Sequence, residues 1–138
     1  MPYEIPHFHD GLLTGIVLFD KTATVFLQQS SGEQYKLLLS GLEVLQMEDF
    51  RQGNIISMVE VVTGRLPYEH VGIERLFVPP HPAAAKQYHE AHANVIAQQS
   101  SRIAGGEVAL VVIVPSYGGD LLAICHEVTF TQCDTNGS

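Results

Sequence analysis

An α+β fold is predicted for this chain by three observations. Residues 12 to 78 carry a succession of short segments with alternating hydrophobicity, one long segment from 83 to 104 switches to helical spacing, and two further apolar runs follow across a turn-forming loop. Recurrence every second residue marks strands with one buried face, and recurrence at three and four marks a helix stripe. The expected architecture is a mostly antiparallel β sandwich or open barrel of about seven or eight strands, with one long helix packed across it.

The first strand is expected over Leu12 to Phe19, with Asp20-Lys21 as a tight reversal into Thr22 to Gln29. There Ala23, Val25 and Leu27 face inward while Thr22 and Thr24 face out, with Phe26 the exception. Ser30-Ser31-Gly32-Glu33 is a turn by composition, after which Tyr35, Leu37 and Leu39 form the next inward set and complete a meander. Between Gly41 and Gly53 the apolar spacing admits either a short strand or a helical turn. Asn54 to Thr63 is rich in β-branched residues on both faces, as a central strand covered on two sides requires. His70 to Val78 reads as another strand, with Val71, Ile73 and Phe77 on one face.

Pro79-Pro80-His81-Pro82 stops the strand pattern, because proline cannot continue a ladder yet suits the first turn of a helix. The helix is expected from Ala83 to Ala104, roughly 33 Å long, with Gly105-Gly106 placed for a left-handed cap. Ala84, Tyr88, Ala91, Val95 and Ile103 form the stripe expected to pack on the sheet. Val108 to Val114 and Leu121 to Phe130 are the last strands, joined by Pro115-Ser116-Tyr117-Gly118-Gly119-Asp120 as a hairpin loop.

The 138 residues make up a single domain, 1–138, long enough to bury about two-thirds of the unfolded surface. Hydrophobic residues are 46% and charged ones 16% of the chain, the balance of a packed globule. The formal charge is -8, from seven Lys and Arg against fifteen Asp and Glu, and the basic residues never cluster. That argues against nucleic-acid binding, which rests on cations neutralising phosphates, and leaves solubility, a basic protein partner or a cation as the sense of the charge. The start of the chain has no secretory pattern and no apolar run approaches a membrane span, so no membrane association and a cytoplasmic location are expected. Cys125 and Cys133 would lie roughly 26 Å apart along an extended chain, too far for a disulfide.

Histidine is the strongest chemical lead. In His7-Phe8-His9 the two imidazoles point to one side of an extended segment and could grip one metal ion. His89 and His92 are neighbours on one helix face. Asp10 or Glu90 could add a carboxylate, so a divalent metal held by His7, His9, Asp10, His89 and His92 is the chemical alternative to a protein with no cofactor and no catalytic residues. His89-Glu90-Ala91-His92 is not the metalloprotease motif, whose histidines are a four-residue step apart. His7-x-His9 lacks the following glutamate of a cupin, and His9-Asp10 leads into a strand where the HD phosphohydrolases are helical. Cys125 and His126 are adjacent on a strand and face opposite ways, so no nucleophile–base dyad forms between them. His126, sharing a side with Leu122, Ile124, Val128 and Phe130, is expected to be buried. Ser116 sits in a strand-to-strand loop, whereas a nucleophile elbow joins strand to helix.

His9-Asp10-Gly11-Leu12-Leu13-x-Gly15-Ile16, Leu39-Ser40-Gly41-Leu42 with Phe50 and Asn54-Ile55-Ile56, and Pro115-Ser116-Tyr117-Gly118 resemble a pattern found in small uncharacterised bacterial β-rich proteins, some grouped with toxin-immunity families. The pattern covers about half of the chain, and the helical segment resembles an insertion in it. The resemblance implies a β-rich, non-enzymatic protein and brings no catalytic residues. The favoured expectation is therefore a non-catalytic cytoplasmic binding protein, immunity-like or self-associating, that meets a protein partner or forms a homodimer. The alternatives are a small metal-dependent enzyme or metal-binding protein using the histidine pairs, and a small-ligand-binding β domain with an apolar pocket.

Overall fold

The computed structural model describes residues 4–67 and 73–133. Among these residues eight strands, β1 (Leu12–Phe19), β2 (Thr22–Gln28), β3 (Gln34–Ser40), β4 (Val44–Glu48), β5 (Asn54–Val62), β6 (Ala109–Tyr117), β7 (Asp120–Cys125) and β8 (Glu127–Gln132), join one helix, α1 (Lys86–Ala104). All strands belong to one antiparallel sheet in the order β4-β7-β6-β5-β1-β2-β3-β8. The expected α+β class with one helix is what forms.

The meander β1-β2-β3 follows directly from sequence. Asp20 adopts φ +53° in the two-residue reversal, and the register pairs Val25 with Ile16 on one side and with Leu37 on the other. Ala23, Val25 and Leu27 are buried as the alternation requires, together with Leu37 and Leu39. The segment whose spacing admitted two readings resolves as β4, and its Leu45 and Met47 pack on the same core.

β6 from Ala109 to Ile113 and β7 from Leu121 to Cys125 are buried because both of their faces are covered. On the inner face Val111, Ile113, Leu121, Ala123 and Cys125 meet the residues of β1, β2 and β3. On the outer face Leu110, Val112, Leu122 and Ile124 meet Val62, Leu76, Ile103 and Val108. The sheet has two hydrophobic clusters, and this hairpin is the wall between them.

Expectations are corrected at three places. His70 to Val78 is not a strand where it is described: Ile73–Arg75 forms a 3-10 turn, with Leu76 N–H donating to Ile73 O at 3.0 Å and Phe77 N–H to Glu74 O at 3.1 Å. Its buried or part-buried apolar residues are Ile73, Leu76 and Phe77, which recur at three and four, so the turn and not the alternation sets which side chains reach the outer cluster. His70, Val71 and Gly72 lie outside the described residues.

The helix begins at Lys86 and not at Ala83, because His81 closes a separate turn with its carbonyl on Ala84 N–H (2.8 Å) and its Nδ1 on Ala83 N–H (3.0 Å). Its end behaves as expected, with Gly106 at φ +80° and Gly106 N–H on Ile103 O. The expected stripe is rotated by one position. Ile103 is the only buried helical residue, Tyr88 and Val95 are exposed, and His89, His92, Ile96 and Gln99 form the half-buried side. Anchoring at Ile103 decides this, since steps of seven and eleven back along the chain reach Ile96 and His92.

The third correction concerns His126, which is half exposed and not buried. It is an extra residue between β7 and β8, so the inward set passes from Leu121, Ala123 and Cys125 to Val128 and Phe130 with a change of phase. Its backbone N–H donates to Ser40 O at 3.0 Å. Gly41 lies opposite at φ +64°, and a Cβ there would meet His126 Cβ at 2.9 Å. Only glycine fits at that contact.

Asn54 is the single buried polar residue among those described. Its Oδ1 accepts from Arg51 N–H at 2.9 Å and Gly119 N–H at 2.7 Å, and its Nδ2 donates to Leu13 O at 3.1 Å and to Arg51 O. One amide side chain thus pins the loop before β5, the β6-β7 turn and the start of β1. Gly118, at φ +82°, leaves room for it, since a Cβ would lie 2.6 Å from Asn54 Oδ1. Replacing Asn54 by Ala strands two donors and two acceptors, of which Gly119 N–H and Leu13 O are buried, and should lower unfolding free energy by about 3 kcal/mol in urea titrations. A loss below about 1 kcal/mol would show that the loops hold themselves.

Candidate functional site

His7, His9 and Asp10 come together beside β5. Phe8 is the anchor: it is buried, stacks on Phe130 at 6.1 Å between ring centroids and meets Tyr35 edge-on at 5.4 Å. With Phe8 turned inward, the imidazoles on either side point outward together, as the two-residue step predicts, with centroids 6.3 Å apart. His9 Nδ1 is 3.0 Å from Ser57 O. A carbonyl only accepts, so that nitrogen carries the proton. Ser57 is the residue skipped by the pairing of β5 with β6, and the imidazole thus serves a carbonyl freed by the irregularity. His9 Nε2 lies 3.6 Å from Asp10 Oδ2, and Asp10 N–H donates to Ile56 O at 2.9 Å.

His89 and His92 share the half-buried side of α1, and His92 Nε2 donates to Phe77 O at 2.7 Å. That bond ties the helix to the segment after the 3-10 turn. Among the described residues no three or more His, Cys, Asp or Glu side chains are grouped so as to hold a metal ion. The structure brings each pair together but does not merge the two pairs into such a group.

Cys125 and His126 face opposite ways. The Cys125 thiol is fully buried, and burial, with a smaller contribution from Glu43, pushes its pKa up to about 12. It stays protonated at neutral pH and packs as a small apolar group. His126 turns outward and its Nε2 donates to Glu43 Oε2 at 2.8 Å.

Glu43 is the centre of an ion network that links remote parts of the chain. Arg102, on the last turn of α1, binds it through two guanidinium nitrogens, Nη1 to Oε1 and Nη2 to Oε2, both at 2.7 Å. The same guanidinium contacts Glu107 and Gln99. The Arg102 hydrogen bonds hold the Glu43 carboxyl below its ordinary 4.5, against the opposing effect of partial burial. Arg102 is correspondingly raised, first by Glu43 and then by Glu107. The two residues are 59 positions apart, so no local sequence signal could pair them.

The most exposed apolar surface lies on the other half of the sheet. β1 pairs with β5 only through Leu12 and Leu13, whereas its pairing with β2 continues to Phe19. Val17, Leu18 and Phe19 are 55%, 59% and 76% exposed. Cross-strand registers place Val17, Thr24, Leu38 and Thr129 in one row across β1, β2, β3 and β8, with Phe19, Thr22, Ser40 and Glu127 in the row beside it. Leu38 is also exposed, at 37%. The residues of the helix and the 3-10 segment that join the outer cluster meet β4, β5, β6 and β7, and no residue of these rows belongs to that cluster. The sequence marks Leu12 to Phe19 as a strand, yet the apolar run Ile16-Val17-Leu18-Phe19 resembles one covered on both sides. Only the placement of α1 reveals that it is open.

Among the described residues no helix is long and apolar enough to cross a membrane. Comparison with protein-family models, curated proteins and solved structures finds no match to this chain.

A carboxylate whose pKa is depressed on folding contributes stability that is complete above its unfolded value and is lost as pH falls through the folded one. Glu43→Gln should therefore cost about 1 kcal/mol at neutral pH. The gap between wild type and variant should close as pH drops below 4.5. Urea unfolding at a series of pH values checks this, and a gap independent of pH would mean that the ion pairs contribute nothing. For the thiols, a chromogenic disulfide reagent should label half-buried Cys133 in the native protein and Cys125 only on unfolding. Equal labelling rates would contradict the burial of Cys125.

Proposed function

We propose that this is a non-catalytic interaction protein that self-associates through the outer face and free edge of β1. The observation that carries the reading is the open stretch Gly15–Phe19, where exposed apolar side chains coincide with a strand edge that has no partner among the described residues. Such an edge is a template for another strand. Antiparallel pairing of two copies about a twofold axis uses the same patch on both.

Charge favours a second copy over a basic partner at this place. From Leu12 to Gln28 the only charged residues are Asp20 and Lys21, which cancel, while the chain carries -8 overall. Two acidic chains repel least where they approach through their neutral surface. The reactive-looking side chains support a structural reading of the rest: His9, His92 and His126 hydrogen-bond to Ser57, Phe77 and Glu43, and Cys125 is buried. A reducing, cytoplasmic setting accords with two free thiols.

The sheet is read as an open barrel. β3 continues into β4 through Gly41–Glu43 and β7 into β8 through His126, while β3 pairs with β8 and β4 with β7. The two ends of the strand order thus fall at one corner, and the opening lies between β1 and β5 beyond Leu13. An immunity-like role would place the partner of such a protein on the same face of β1.

Sedimentation velocity over roughly 1 to 200 μM should reveal a monomer–dimer equilibrium. Val17→Lys with Phe19→Lys, both at exposed positions where lysine blunts an edge, should leave the melting temperature unchanged and abolish the dimer. A wild-type chain that remains monomeric throughout, or a double variant that dimerises equally, would end the proposal.

A further inference from the structure

The outer face of β5, β6 and β7 is only partly covered by α1 and the 3-10 segment. The row Val62, Leu110, Ile124 and Val44 lies beneath Leu76 and Ile103. The next rows, Glu60-Val112-Leu122 and Met58-Val114, emerge from under that cover and floor a cleft of about 380 Å3. Pro115 closes one side, and Arg75 and Asp120 stand at its margin. That volume is within the range of small-molecule sites, and its walls have their character: apolar, with few polar groups.

The polar groups define what would enter. Arg75 is held in ion pairs, its Nη1 2.7 Å from Asp120 and its buried Nη2 3.2 Å from Glu48, although Nη2 makes no hydrogen bond among the described residues. Asp120 also accepts from Glu48 N–H at 3.1 Å through its other oxygen. Glu60 differs. Its side chain is 19% exposed, one oxygen receives Arg65 Nη2 at 2.9 Å, and the carboxylate sits on the cleft floor beside Val112. The charged residues that line the cleft are Glu60, Asp120 and Arg75; with their ion-pair partners Arg65 and Glu48 the balance among the described residues is one negative charge. An anion would meet excess negative charge. A cation gains a partly desolvated carboxylate that has acceptor capacity left.

We propose that this cleft is a binding site for a small amphiphilic ammonium compound, its apolar body against Met58, Val112, Val114 and Leu122 and its ammonium group on Glu60. The site is independent of the β1 surface, on the opposite half of the sheet, and does not depend on self-association.

Titration of 13C-methyl-labelled protein with 2-phenylethylamine, 2-phenylethanol and 3-phenylpropanoate tests this. The amine should give saturable shifts at the methyls of Met58, Val112, Val114 and Leu122, the alcohol should bind at least about tenfold more weakly, and the acid should not bind. Glu60→Gln should bring the amine down to the affinity of the alcohol. Met58→Trp, at a position 41% exposed and able to accept bulk, should block all three with a native spectrum retained. Equal affinity for amine and alcohol, shifts elsewhere on the protein, no saturation with the amine, or insensitivity to both substitutions would overturn it.

Discussion

Burial of the β6-β7 hairpin on both faces is the constraint on which this fold rests. A strand pair with apolar side chains on both sides needs two covers, and the chain supplies them from opposite directions. The meander β1-β2-β3 closes over the inner face, and the 3-10 segment with the end of α1 closes over the outer one. The outer cover is shorter than the face it lies on. What it leaves bare becomes the cleft at Met58 and Val114, and no residue of β1, β2, β3 or β8 joins the outer cluster.

Polar groups hold the corners that packing alone would leave undefined. Asn54 joins three segments through one amide, and the Glu43–Arg102 pair locks the last turn of the helix to the β3-β4 corner. His126 belongs to the same corner, where the extra residue that turns its ring outward also switches which side chains of the following strand face the core. Histidines that could be taken for ligands are thus found where backbone irregularity frees a carbonyl or a strand changes phase.

Local patterns were legible wherever one element determines its own burial. β2 and β3 read correctly from alternation because one of their faces is dry and the other wet, and Gly105-Gly106 read as a helix end because a left-handed residue is needed there. The reading failed at Ile73 to Phe77, where a five-residue stretch is too short for periodicity to separate a strand from a turn. It failed for the helix stripe because Tyr88, Ala91 and Val95 have proper helical spacing, and nothing local states that Ile103 is the residue to be anchored. In both cases the deciding contact lies across the outer cluster.

By itself the sequence determined the antiparallel meander, the existence and end of one helix, the outward pairing of His7 with His9 and the separation of Cys125 from His126, since each follows from side-chain direction over a few bonds. Tertiary structure alone decided which side of α1 is covered, that Glu43 meets Arg102, and that Val17 and Phe19 face solvent. These depend on contacts between residues far apart in the chain, and the free energy of such contacts is set by how two finished surfaces fit, which no local periodicity encodes.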